Sequence, residues 1–249
     1  MPEEKIIFYS GKNKRVGILN RANKNKSCVI FAHGFLGNKD YFKKGAEIFS
    51  FHDIATFRFD FVGHGESEGS SLDITISQEV EDMKRAIEVV KTEGYEKIGL
   101  FGISLGGTIA ILSFNEKINC ITVINPLIFP KEVFLKFFDH EKLREMERKG
   151  YVNYLTKDNR RIPISEKFFE EIINIDVISA IKKINCPILF IVSSKDAIVN
   201  PKQSEKAHQE ANKPKKLEVI SDADHSLSNP EHKNYAFEIS ALWFKKWLK

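Results

Sequence analysis

Cys28-Val29-Ile30-Phe31-Ala32 is an apolar run with no polar side chain to turn toward water. A strand of that kind needs cover on both faces, as in a parallel sheet sandwiched between helices. Similar runs recur at Lys97-Ile98-Gly99-Leu100-Phe101, at Cys120-Ile121-Thr122-Val123-Ile124 and over Pro187 to Val192. Helical patterns lie between them. Tyr41 to Phe51 reads as one helix. Thr75 to Lys91 reads as another, with Ile76, Val80, Met83, Ile87 and Val90 at three- and four-residue spacing and Gly94 as its stop. Ala55 to Asp60 and Leu217 to Ile220 supply further strands. Asn200-Pro201 and Asn229-Pro230 are cap signals, opening helices to about Ala211 and over Glu231 to Leu248. Lys5 to Ser10 and Arg15 to Asn20 form an opening antiparallel pair across the Gly11 turn. The alternation predicts an α/β fold with a doubly wound, mostly parallel sheet.

The alternation breaks between Pro126 and Pro187. That stretch reads as charged amphipathic helix, Glu132 to Arg148 above all, without strand signals. An excursion so long is expected to be an inserted helical cap, about 127–185, on a single domain spanning 1–249. A chain of 249 residues buries roughly 70–75% of its unfolded surface, so no disulfide or structural metal is needed. Cys28, Cys120 and Cys186 are far apart, with no C-x-x-C pair, and read as small buried hydrophobes. The net charge is +4, with its basic clusters scattered at Lys12-Asn13-Lys14-Arg15, Lys24-Asn25-Lys26 and Lys213-Pro214-Lys215-Lys216. No patch concentrates enough charge for a nucleic-acid face. The polar start, Met1-Pro2-Glu3-Glu4-Lys5, lacks a signal-peptide core, and no apolar run reaches about 18 residues. A cytoplasmic protein with no stable membrane anchor, monomeric or homodimeric, is the expectation.

The chemistry is concentrated at Gly102-Ile103-Ser104-Leu105-Gly106, a G-x-S-x-G after one strand and before the helical run Thr108 to Leu112. Strand, sharp turn and helix are the context of a nucleophile elbow. Serine attacks well only when a base takes its proton and a third group holds that base. The base is expected on a loop after a late strand, where His225 lies in Ser221-Asp222-Ala223-Asp224-His225-Ser226; His33 and His64 are its rivals. The acid is expected after an earlier strand, where Asp196 follows Ser193-Ser194-Lys195; Asp222 and Asp224 are nearer to His225 in sequence, but adjacent residues usually point apart and a long-range partner is the pattern in this kind of fold. The order Ser, Asp, His is that of α/β hydrolases. Oxyanion donors are expected from the backbone N–H of Leu105 and of Phe35, in the turn Ala32-His33-Gly34-Phe35-Leu36-Gly37.

With these pieces, and with Asp60-Phe61-Val62-Gly63-His64-Gly65-Glu66-Ser67 and Gly37-Asn38-Lys39, the chain resembles the α/β-hydrolase superfamily over essentially its whole length. It is most similar to bacterial carboxylesterases, among them cinnamoyl and feruloyl esterases and monoacylglycerol lipases. The resemblance implies a cofactor-free serine hydrolase, without a metal, whose cap shapes the pocket. It also implies a structural role for the 60–67 loop. Ile103 and Leu105 stand where many relatives have histidine and glutamine or methionine, which makes the neighbouring pocket more apolar.

The expected reaction is hydrolysis of small-molecule esters through an acyl-enzyme, on short- to medium-chain or aromatic acyl groups. Phe129, Phe134, Phe137, Phe138, Phe168 and Phe169 in the insertion either line the acyl pocket or pack the cap; Phe137 and Phe138, being adjacent, cannot share one helix face. A thioesterase or serine peptidase on the same triad, and a non-catalytic binding protein on a hydrolase scaffold, are the alternatives. A haloalkane dehalogenase is disfavoured, because Ser104 stands where the resemblance places aspartate in those enzymes.

Overall fold

A computed structural model of the chain describes residues 3–22, 26–156 and 159–249. Met1 and Pro2 of the polar start, and Lys24 and Asn25 of the second basic cluster, lie outside them. The strands are β1 (Glu3–Ser10), β2 (Asn13–Asn20), β3 (Ser27–Ala32), β4 (Ala55–Phe59), β5 (Lys97–Ile103), β6 (Ile118–Ile124), β7 (Tyr151–Leu155), β8 (Arg161–Ser165), β9 (Ile188–Ser193) and β10 (Lys215–Ile220). The helices are α1 (Lys43–Phe51), α2 (Ile76–Thr92), α3 (Leu105–Leu112), α4 (Pro130–Phe134), α5 (His140–Lys149), α6 (Glu166–Asn174), α7 (Val177–Lys183), α8 (Lys202–Glu210) and α9 (Pro230–Trp247). Eight strands form one sheet in the order β1-β2-β4-β3-β5-β6-β9-β10. Only β2 runs against its neighbours; the pairs from β4 to β10 are parallel.

The apolar runs are buried on both faces because their side chains alternate between two cores. Cys28, Ile30 and Ala32 of β3 join the face covered by α2, α3, α7 and α8. Val29 and Phe31 join the face covered by α1 and α9, where Phe31, Phe42, Phe49, Phe101, Phe237 and Phe244 cluster. Helix starts follow local chemistry: Thr75 accepts the Gln78 N–H at α2, Asn229 accepts the Glu231 N–H at α9, and Asn200 accepts the Lys202 N–H at α8. All three cysteines are free and buried. Among the described residues no helix is long and apolar enough to cross a membrane.

The segment between β6 and β9 departs from the expected single long helix. Glu132 to Arg148 is broken into α4 and α5, because Asp139 caps a new helix by accepting the Lys142 N–H. The stretch read as free of strands holds the antiparallel hairpin β7–β8, in register from Tyr151 with Ser165 to Leu155 with Arg161. Pro163 sits within β8 opposite Asn153. Proline is tolerated in an edge strand but hides that strand from periodicity.

Candidate active site

Parallel strands bring their C-terminal ends to one edge of the sheet, and each expected site residue follows such an end. Ser104 follows β5 and caps α3 with φ +54° and ψ −125°, a conformation that strains any residue with a side chain. Its own N–H is held by the Ile124 carbonyl at 2.8 Å. The flanking glycines are required by close approach: a Cβ on Gly102 would run into the Gly106 carbonyl, and one on Gly106 into the carbonyls of Ala32 and His33.

The side chain of Asp196, after β9, is buried. Its Oδ1 accepts the N–H groups of Ile198 and Val199, both at 2.8 Å. Its Oδ2 lies 2.6 Å from His225 Nδ1, and His225 Nε2 lies 2.9 Å from Ser104 Oγ. A carboxylate only accepts, so the proton resides on Nδ1 and Nε2 is free to accept from the serine hydroxyl. A hydroxyl proton can pass along such a line to the imidazole. The rivals stand elsewhere. Asp222 pairs with Lys195, Asp224 accepts the Ser228 N–H at 2.8 Å, and His64 Nδ1 bonds the Val62 carbonyl.

The turn after β3 lies against Ser104: a Cβ on Gly34 would stand 3.2 Å from Ser104 Cβ. The Gly34 carbonyl accepts the Gly37 N–H at 2.9 Å and lies 3.0 Å from His33 Nδ1, while His33 Nε2 accepts the Phe61 N–H at 3.2 Å. With Nε2 accepting, Nδ1 donates. Both bonds fix the Gly34–Phe35 peptide by its oxygen, so the Phe35 N–H points the opposite way. Leu105 N–H, at the first position of α3, has no partner within the helix.

Around Ser104 and His225 open two lobes that share Phe35 and Ser226. The larger, about 350 Å³, is walled by Leu127, Val133, Phe134, Phe137, Tyr154 and Ile198, with Thr156 and Arg160 adding polar side chains. The smaller, about 180 Å³, is walled by His33, Gly34, Gly37, Tyr41 and Ile103. Of the aromatics in the insertion, Phe134 and Phe137 face the larger lobe, whereas Phe138, Phe168 and Phe169 are packed in the core. Phe168 stacks on Phe35 with ring centres 5.3 Å apart. Among the described residues no cluster of three or more His, Cys, Asp or Glu side chains could hold a metal ion.

Residues 23–231 match the Hydrolase_4 family, described as serine aminopeptidase, S33. The chain belongs to this family of α/β hydrolases. It is 27% identical over 206 residues to the uncharacterised protein YfhR of Salmonella typhimurium, covering 80% of this chain and 64% of that protein's length. It is 29% identical over 109 residues to monoglyceride lipase of Rattus norvegicus, covering 41% of this chain and 36% of the lipase. In structure it is similar to Est1E of Butyrivibrio proteoclasticus with ferulic acid bound, with TM-score 0.82, 20% identity and coverage of 95% and 98% of the two chains.

Two polar residues of this hydrolase hold the ends of its strands and loops together around Ser104 and His225. Asn125, at φ +46°, donates to the His225 carbonyl at 3.0 Å and to Ser193 Oγ at 2.8 Å, and accepts the Ser193 N–H at 2.8 Å. It ties the ends of β6 and β9 to the His225 loop. Its only trace in the sequence is an Asn-Pro at a strand end. Asn125→Asp keeps the acceptor but sets a carboxylate oxygen against the His225 carbonyl. We expect kcat to fall on the order of 10- to 100-fold with KM little changed; an unchanged kcat would show that His225 does not depend on this bond. Asp60 is the second. It receives Lys39 N–H and Nζ at 2.7 and 2.6 Å and the Glu66 N–H at 2.9 Å, binding the 37–39 turn to the 60–67 loop.

His33 is expected to make the stability of this hydrolase fall with acid. Burial, reinforced by His64, pushes its imidazole down to about 3. Between that value and an ordinary histidine near 6.5, the unfolded chain binds a proton that the folded chain refuses. The stability is therefore full above about pH 6.5 and is lost as pH falls, by about 1.4 kcal/mol per pH unit at the steepest. Urea titrations from pH 7 to 4.5 should show a slope shallower by one proton in His33→Asn than in the parent; equal slopes would contradict it.

Proposed function

We propose that this hydrolase is a serine carboxylester hydrolase working through an acyl-enzyme. The observation that carries the reading is the unbroken line Asp196 Oδ2, His225, Ser104 Oγ at 2.6 and 2.9 Å, on the floor of a largely apolar cavity. His225 Nε2 takes the Ser104 proton as Oγ attacks the ester carbonyl. In this reading the oxygen that becomes negative is met by the N–H groups of Phe35 and Leu105. His225 returns the proton to the leaving alcohol. Water then attacks the acyl-serine by the same route and releases the acid. Asp196 holds the Nδ1–H tautomer and stabilises the imidazolium as it forms.

The segment 127–185 acts as the cap. Phe134, Phe137 and Tyr154 on it give the larger lobe walls suited to a short- to medium-chain or aromatic acyl group. The ferulic acid bound by Est1E, on the same fold, supports an aromatic acyl group. The name of the matched family raises aminopeptidase action as a second reading. An amino-terminal ammonium needs an anion to meet it, and no carboxylate is among the described residues lining either lobe. Comparative turnover of p-nitrophenyl esters from C2 to C16, a butanoyl thioester and aminoacyl anilides tests the reading. We expect the C4 to C8 esters to lead, and anilide turnover above that of every ester would overturn it.

A further inference from the structure

Resting on the ester-hydrolase reading, the geometry points to a substrate that is large on its acyl side and small on its alcohol side, with Tyr41 setting the limit. The two lobes meet at Ser104 and His225 and differ twofold in volume, about 350 against 180 Å³. If the acyl group takes the larger lobe under the cap, the alcohol is left the smaller. A methyl or ethyl group leaves that lobe room to spare, and a naphthylmethyl group presses hardest on its walls.

The smaller lobe is also built not to expand. Ile103 is the last residue of β5, in the middle of the sheet. His33 is fixed through both ring nitrogens, and Gly34 and Gly37 are joined by a backbone bond of 2.9 Å. Tyr41 completes the wall and is held from three sides. Its hydroxyl donates to the Ser226 carbonyl at 3.0 Å, its ring packs edge-on against Phe42 with centres 5.1 Å apart, and Lys233 Nζ lies 3.5 Å from the ring centre. A close-packed wall yields little to a larger guest. The larger lobe differs, since Phe134, Phe137 and Tyr154 belong to the separate segment between β6 and β9.

The test is a series of butanoate esters of methyl, benzyl and 1-naphthylmethyl alcohols with wild type, Tyr41→Ala and Tyr41→Phe. We expect wild-type kcat/KM to fall about tenfold or more from the methyl to the naphthylmethyl ester. Tyr41→Ala should raise kcat/KM on the naphthylmethyl ester about fivefold or more. Tyr41→Phe keeps the ring and loses the bond to Ser226, and should show the parental fall. A flat series in the wild type, or an alanine variant with the parental ratio, would overturn the inference while leaving ester hydrolysis standing. Absence of turnover on every ester would instead remove the reading beneath it.

Discussion

Ser104→Ala protein is expected to fold as the parent does and to lose ester hydrolysis on the order of 10⁶-fold in kcat. The substitution removes one hydroxyl whose recorded partner is His225 Nε2. The strained φ of +54° is as costly for alanine as for serine, so the fold has nothing new to absorb. The segment between β6 and β9 and both lobes persist, so binding is expected to remain while covalent attack is gone. The peptide donors at Phe35 and Leu105 would still polarise a bound carbonyl, and any residual rate above water traces to them. Melting temperature and circular dichroism should match the parent. A variant that keeps even a tenth of the parental rate would mean that another group attacks the ester.

The largest loss of stability is expected from Asp82→Ala, far from the reacting atoms. Arg15 Nε and Asp82 Oδ2 are 2.7 Å apart, and both side chains are at 0% exposure. Asp82 also receives the Val62 N–H at 2.9 Å and Gln78 Nε2 at 2.8 Å. Removing it leaves a guanidinium buried without its anion, which costs about 3–5 kcal/mol. For a domain with a total near 5–15 kcal/mol that is a large fraction. Urea denaturation measures it directly. The double variant Arg15→Met, Asp82→Leu should recover most of the loss, because two apolar side chains need no partner. A single variant costing under about 1 kcal/mol would show that water reaches Arg15 after all. The loss also bears on the site, since Val62 belongs to the loop whose Phe61 N–H fixes His33.

Some of this structure is readable in the sequence and some is not, and the difference is physical. The run Cys28 to Ala32 is legible because a strand covered on both faces has no polar position. Ser104, Asp196 and His225 are legible because each follows a strand-like run, and parallel strands deliver their ends to one edge. The hairpin of β7 and β8 is not, since Pro163 interrupts the second strand. Arg15 and Asp82 stand 67 residues apart, and Lys39 and Asp60 stand 21 apart. Buried polar pairs of that kind are made by tertiary packing and leave no periodicity. Asn125 is the same case: its partners come from β9 and the His225 loop.

The most direct measurement is to trap the intermediate. Mixing the protein with p-nitrophenyl butanoate, quenching in acid within the first turnover and digesting should yield one peptide heavier by a butanoyl group, with the added mass on Ser104. The same adduct should be absent from His225→Ala protein quenched at the same time. Turnover with no acylated serine, or with the acyl group on another residue, would contradict an acyl-enzyme at Ser104.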